Sequence, residues 1–329
     1  MTDLKKIFIT GGTGYVGAML APFLISKGFE VTVYDLMIYG ENVIQDDPKI
    51  TKIKGDIRDI DKLRKSIKGH DAVIHLACIS NDPSFELNPK LGKSINFDPF
   101  ESLVKLCIKK KIKRFIYASS SSVYGLSESQ NVNEEHPMKP LTDYSKFKVE
   151  CEKILQNYKK DELIWTVIRP ATVCGYSTRQ RFDVVVNLLT NLAVNKGEIS
   201  VFGGDQLRPN VNINDMIRSY LAILNSDDNK IKFETFNVGY ENLKVLEIAE
   251  LVRDTVNKNI NLKIVPTDDN RSYHISSSKI KEKLNFEMKH TVKDAIKDLV
   301  LAFNDNKFID PLNNPEYFNI KKMQLINLS

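Results

Sequence analysis

The sequence predicts an α/β protein: a doubly wound parallel sheet carrying a smaller C-terminal α+β lobe that would hold the substrate. Two observations carry this. Short apolar runs alternate with longer amphipathic stretches through the first half of the chain, the rhythm of strand–helix–strand units. The runs are mostly apolar along their whole length, as strands covered on both faces require. Right-handed crossovers between such strands then wind the sheet in both directions.

Taken in order, strands are expected at residues 6–10, 30–35, 50–54, 71–77, 114–119 and 163–168, with helical patterns at 14–27, 60–68, 96–110 and 143–158 between them. After Pro170 the rhythm loosens. A helix is expected near 182–194, a strand at 199–202 and a helix from Asp215, followed by elements at 234–238, 245–256, 262–265 and 291–303. A boundary near residue 170 divides the chain into 1–170 and 171–329. No Gly/Ser/Pro linker frees the second part, so the two lobes are expected to interleave and share one cleft. Residues 310–329, with two prolines and several asparagines, read as an irregular strap or partner-facing tail, and no internal repeat is visible.

With 329 residues, 42% apolar and 27% charged, and with Gly 15 and Pro 12, the chain is neither collagen-like, low-complexity nor disordered. Lys+Arg 47 against Asp+Glu 42 leaves +5 spread along the chain, which gives no argument for nucleic-acid binding. Cys78, Cys107, Cys151 and Cys174 form no Cys-x-x-Cys pair and suit reduced thiols. The five histidines show no ligand spacing, so no metal is expected. The first strand begins too early for a leader peptide and no apolar run nears the ~18 residues of a membrane helix, so a cytoplasmic protein with no membrane partner is expected.

Thr10-Gly11-Gly12-Thr13-Gly14-Tyr15-Val16-Gly17 falls where the first strand ends and the first helix begins. Glycines there let the backbone approach a dinucleotide pyrophosphate, and the helix amino end offers free N–H groups and partial positive charge. Asp35, closing the second strand, is placed to accept from the adenosine ribose. This is the Rossmann arrangement. No Arg or Lys follows Asp35 in Leu36-Met37-Ile38-Tyr39, which favours NAD over NADP. Asp56 and Ile57, after the third strand, are placed to reach the adenine edge.

Tyr144 and Lys148 stand four apart on a helical pattern, which stacks the ammonium beneath the phenol. By itself such a pair is most often on the surface. Moving a phenol from about 10 to about 7 takes about 4 kcal/mol of differential stabilisation, which Lys148 and a nicotinamide cation together supply. The phenolate would take a hydroxyl proton while hydride leaves the same carbon, with Ser120 hydrogen-bonding the reacting oxygen.

The run Gly11-x-x-Gly14-x-x-Gly17, the segment Phe115-Ile116-Tyr117-Ala118-Ser119-Ser120-Ser121-Ser122-Val123-Tyr124-Gly125, and Tyr144-x-x-x-Lys148 together resemble the extended short-chain dehydrogenase/reductase family. In particular they are similar to its NAD-dependent nucleotide-sugar epimerases and dehydratases, over nearly the whole chain. The resemblance implies catalytic Ser120, Tyr144 and Lys148, and a cofactor pocket lined also by Leu76, Ala77 and Asn96. It places Ser121 and Ser122 at the sugar, where 4,6-dehydratases carry an Asp-Glu pair and decarboxylases a glutamate at the second position. Elimination and decarboxylation are thereby disfavoured, leaving epimerisation or plain oxidoreduction.

Arg179, Arg181, Asn187, Arg208 and Arg271 are the polar landmarks of the second lobe, and guanidinium forks suit phosphate oxygens. Arg208, Arg271 and Asn187 resemble the family's diphosphate-contacting residues. The stretch 171–187 resembles a subgroup that includes 4-dehydrogenases and epimerases of GDP-linked heptoses. The expected activity is NAD-dependent oxidation of a nucleotide-linked sugar (GDP-, UDP-, CDP- or dTDP-) at C4, with hydride return to the opposite face. Release of the 4-keto sugar is the alternative, and a non-catalytic NAD-binding regulator is the reading from another class. A homodimer is expected through helices 96–110 and 143–158.

Overall fold

The computed structural model describes residues 4–127, 129, 131–159, 163–267 and 272–326. In chain order the first half runs β1 (Lys6–Thr10), α1 (Gly17–Ser26), β2 (Glu30–Asp35), β3 (Ile50–Lys54), α2 (Ile60–Ser66), β4 (Ala72–His75), α3 (Asp82–Glu86), α4 (Pro89–Asn96), α5 (Phe100–Lys109), β5 (Arg114–Ala118), a 3-10 turn (Ser121–Tyr124), α6 (Asp143–Gln156) and β6 (Ile164–Pro170). The second half runs β7 (Thr172–Cys174), α7 (Val185–Lys196), β8 (Glu198–Phe202), β9 (Leu207–Asn212), α8 (Ile213–Asn225), α9 (Asp228–Ile231), β10 (Glu234–Val238), β11 (Glu241–Lys244), α10 (Val245–Val256), β12 (Asn261–Val265), α11 (Ser278–Leu284), α12 (Val292–Asn304), a 3-10 turn (Pro315–Tyr317) and α13 (Asn319–Ile326).

A seven-stranded sheet in the order β10-β6-β5-β4-β1-β2-β3 forms the centre, with every neighbouring pair parallel. Ile7, Phe8 and Ile9 of β1 and all of β4 are buried because helices cover both faces. One face packs Ile9, Val33, Ile74 and Ile116 against Leu20 and Leu24 of α1 and Tyr220 of α8. The other packs Phe8, Val73 and Phe115 against Leu103 of α5 and Leu155 of α6. Strand order reverses between β1 and β4, and ligand crevices of open α/β sheets lie at such a switch point. β10 comes from the second half of the chain yet completes this sheet. A separate core around Val186, Ile199, Val252 and Ile296 holds α7, α10 and α12 on the β12–β8 pair, and a three-stranded sheet β11-β9-β7 stands beside it.

Two expectations need correction. The helix expected over 96–110 is α5 alone and starts only at Phe100: Asn96 closes the separate helix α4, and Pro99 disfavours helical backbone in the residue before it. The tail is not irregular throughout: α13 forms there, and Asn319 and Met323 are buried. No helix among the described residues is long and apolar enough to cross a membrane.

Candidate active site

β1 ends at Thr10 and the chain turns through Gly11, whose φ is +73°. A Cβ there would lie 2.5 Å from the Ala77 amide nitrogen, so the turn admits only glycine. α1 opens at Val16 with no capping side chain and no carboxylate in its first turn, which leaves its amino end to an anion. Asp35 accepts from the Thr13 amide at 3.0 Å and the Met37 amide at 2.7 Å, tying the end of β2 to the glycine turn. Burial raises its carboxyl pKa, while those amides and the Arg179 charge pull the other way.

At the far end of the same cleft, Ser120 follows β5 and caps the 3-10 turn, its Oγ accepting from the Ser122 amide at 3.1 Å and the Ser122 hydroxyl at 2.9 Å. Tyr144 enters on the first turn of α6, whose start is fixed by a capping box between Thr142 and Ser145. One turn on, Lys148 Nζ donates to the Ala118 carbonyl at 2.7 Å and lies 5.6 Å from the Tyr144 ring centroid. Ser120 lines the cleft with the Tyr144 phenol and acts to lower its pKa. That pKa lies well above the ordinary value because burial raises it and Cys78 and Asp82 add to that, while Arg181 and Ser120 oppose. The phenol is therefore protonated in the chain alone, not held acidic by Lys148. His75, stacked on Tyr117 and 2.7 Å by Nδ1 from Thr10 Oγ1, is pushed down to about 3 by burial and by Lys148, and so stays neutral beneath the cleft.

A cavity of about 360 Å³ joins these parts. Of the residues singled out in the sequence, Gly11, Gly14, Tyr15, Val16, Gly17, Asp35, Ile57, Leu76, Ala77, Ser120, Ser121, Ser122, Tyr144, Lys148, Arg179 and Arg181 line it. Asp56 does not: its carboxylate pairs with Arg58 at 2.6 Å. Nor does Asn96, which braces the wall from behind, accepting from the Ile79 amide at 2.8 Å and donating to the Ile79 carbonyl at 3.0 Å. Asn187 is fully buried and bonds Gly175, the Arg181 carbonyl and the Tyr15 hydroxyl, so it holds the loop after β7 on the glycine turn instead of facing a diphosphate. Arg208 stands on β9 with its guanidinium 5.1 Å from the ring of Tyr273, and it is Tyr273 that lines the cleft. Arg271 lies outside the described residues.

The sequence reading did not single out Tyr39, Cys78, Ser80, Tyr220, Asn319 or Met323 as lining residues. Nor did it foresee that a cation reaches Asp35. Arg179 comes from far along the chain, and no local signal marks the meeting. Among the described residues no three of His, Cys, Asp and Glu converge into a set that would hold a metal ion.

The cleft fits a nicotinamide dinucleotide: a cradle that a Cβ would fill, an uncapped helix end, an acidic residue where a ribose would lie, and buried guanidinium groups with unpartnered N–H atoms. Opening onto a Tyr–Lys–Ser set at a parallel-sheet switch point, it defines a dinucleotide-dependent oxidoreductase. The family model for the NAD-dependent epimerase/dehydratase family matches residues 7–239, and the chain belongs to that family, with NAD as its cofactor. It is 27% identical over 269 residues to a UDP-glucose 4-epimerase of Lactobacillus helveticus, covering 75% of this chain and 81% of the relative. It is 24% identical over 332 residues to a bifunctional UDP-glucose and UDP-xylose 4-epimerase of Pisum sativum, covering 89% and 94%. The crystal structure of the Thermotoga maritima UDP-glucose 4-epimerase with UDP-glucose superposes with a TM-score of 0.82 at 25% identity, covering 92% of this chain and 99% of that one.

Proposed function

We propose that this enzyme works in the cytoplasm as a nucleotide-sugar 4-epimerase, oxidising the C4 hydroxyl of a nucleotide-linked hexose or heptose to the ketone and returning hydride to the opposite face. The observation that carries the proposal is the Ser120–Tyr144–Lys148 set in the cleft that the glycine turn opens, with serines at 121 and 122 where elimination or decarboxylation would call for carboxylates. NAD, held by the glycine turn at Gly11, the amino end of α1 and Asp35, would supply the hydride acceptor and donor together with a positive charge. Ser120 hydrogen-bonds the sugar hydroxyl, and Tyr144 takes its proton once positive charge offsets the burial that keeps the phenol neutral. Lys148, anchored on the Ala118 carbonyl, holds its ammonium at one side of that phenol. The Tyr273 and Tyr220 rings and Met216 give the rest of the cleft the apolar walls a sugar face stacks on.

The base and the sugar are open between GDP-, UDP-, CDP- and dTDP-linked substrates. Incubation with a panel of these, followed by sugar NMR and NADH absorbance, tests the proposal. Interconversion of C4 epimers without accumulated NADH supports it. Stoichiometric NADH with released 4-keto sugar would make the enzyme a dehydrogenase, and silence across the panel would leave an NAD-binding regulator. We further propose a homodimer pairing through α5 and α6, to be measured by sedimentation velocity.

A further inference from the structure

Four guanidinium groups among the described residues are almost wholly buried, and three have a carboxylate. Arg114 pairs with Asp228 at 2.6 Å, Arg169 with Glu152 at 2.6 Å and Arg181 with Asp183 at 2.8 Å. Arg179, 4% exposed, pairs with none. Its Nη2 donates to Asn319 Oδ1 at 2.6 Å, its guanidinium carbon lies 3.6 Å from the centroid of the Tyr39 ring, and its Nε finds no partner among the described residues. Arg181 Nη2 is likewise unpartnered. A buried cation with no carboxylate in bridging contact, and only the more distant charges of Asp35 and Asp183 to offset it, is an unfavourable arrangement unless an anion completes it.

The position says which anion. Tyr39 lies on the loop after β2, and the Arg179 charge reaches Asp35, the ribose-side carboxylate. Arg181 Nη1 and Asn319 Nδ2 both donate to Ser80 Oγ, at 3.2 and 3.0 Å, which puts the pair on the loop that follows β4. All of these line the cleft with the glycine turn. A sugar nucleotide reacting at Tyr144 would extend away from Asp35, not toward it.

We propose that Arg179, with Arg181 beside it, clamps the diphosphate of the bound dinucleotide, and that Asn319 of α13 is the positioning residue that holds Arg179 in place. The proposal rests on the dinucleotide assignment of the cleft and not on the choice of sugar. Arg179 Nε and Arg181 Nη2 would then offer their unpartnered N–H groups to phosphate oxygens, alongside the uncapped amino end of α1 in the same cleft. Such a clamp would serve to hold the cofactor in place through the turnover, which hydride return to the same substrate requires.

Calorimetric titration of NAD, NADP, ADP-ribose, adenosine and UDP into the full-length protein, stripped of any retained nucleotide, tests this. Arg179→Gln is expected to weaken NAD and ADP-ribose about tenfold to a hundredfold, the range of one charged hydrogen-bonding group, and to leave adenosine and UDP within about twofold. Arg179→Lys, which keeps the charge without the fork, should fall between and guards against a folding defect in the first variant. Asn319→Asp, which gives Arg179 the carboxylate it lacks, should weaken NAD while the thermal midpoint holds or rises; a purely structural role predicts no change in NAD affinity. Loss of UDP affinity with NAD unaltered would return Arg179 to the substrate and overturn the clamp. A loss confined to NADP would make it a 2′-phosphate reader, and no change in any titration would overturn it equally. Failure of the unmutated protein to bind NAD at all would reject the dinucleotide assignment itself, a result distinct from any difference among variants.

Discussion

At Tyr144 burial and proton transfer pull in opposite directions. The raised phenol pKa means the folded chain keeps the proton across neutral pH, so the deprotonated fraction, and with it kcat/KM, rises as pH rises. Ser120→Ala removes a group that lowers the phenol pKa and should carry that limb further toward alkaline pH, and a pH–rate profile measures it. Tyr144→Phe should reduce turnover by about a thousandfold or more while NAD binding, read by calorimetry, stays within about twofold. His75 gives the opposite sign for stability. Its folded pKa of about 3 lies below the unfolded value of 6.5, so its contribution is complete above pH 6.5 and is lost as pH falls toward 3, at up to about 1.4 kcal/mol per pH unit. Replacement by Gln, which cannot take the proton, should flatten that part of the urea-midpoint profile. The Tyr–Lys pair was legible in the sequence because one helical turn joins its members. Arg179 was legible only as a residue type, since the Asn319 that holds it lies 140 residues away and no pattern connects them.

Elements that read clearly were those with one strong local cause. β1, β2 and α10 are apolar in step with their geometry, and their boundaries follow. β9, Leu-Arg-Pro-Asn-Val-Asn, is mostly polar and yet buried at Pro209 through Asn212, because Asn210 and Asn212 bond neighbouring carbonyls. Nothing in its composition announces a strand. The Asn-Pro starts of α4 and the final 3-10 turn were signals available and unused: Asn88 caps Leu91 at 3.1 Å and Asn314 caps Glu316 at 3.1 Å, each just before a proline. The cap at Thr142 bears on catalysis directly. Its hydroxyl also reaches Asp82 on α3, so one side chain fixes the turn that carries Tyr144. Thr142→Ala should cost about 1 kcal/mol in urea unfolding and lower kcat more than it raises KM, because the base loosens while the substrate walls stay. An equal effect on both constants would place the role of Thr142 elsewhere.

Across the whole molecule, one buried network fastens the catalytic edge of the sheet. Ser119 donates to Glu152 of α6; Glu152 accepts from Arg169 Nη2 of β6 at 2.6 Å; Arg169 Nη1 donates to the Tyr124 hydroxyl at 2.8 Å; and that hydroxyl donates to Asn237 of β10 at 2.7 Å. The chain thus binds a strand from its second half to the helix that bears Tyr144 and to the residue beside Ser120. Removing Arg169 leaves the Glu152 carboxylate buried without its cation. Arg169→Met should therefore cost about 3–5 kcal/mol, a large share of the about 5–15 kcal/mol that holds a domain together. The double variant Arg169→Met with Glu152→Leu buries no charge and should recover more than half of that loss, though not activity, since Ser119 then has no partner to fix the end of β5. Guanidinium unfolding of the two variants decides the point. A double variant less stable than the single would show that the pair contributes through packing of its side chains and not through the charge left behind.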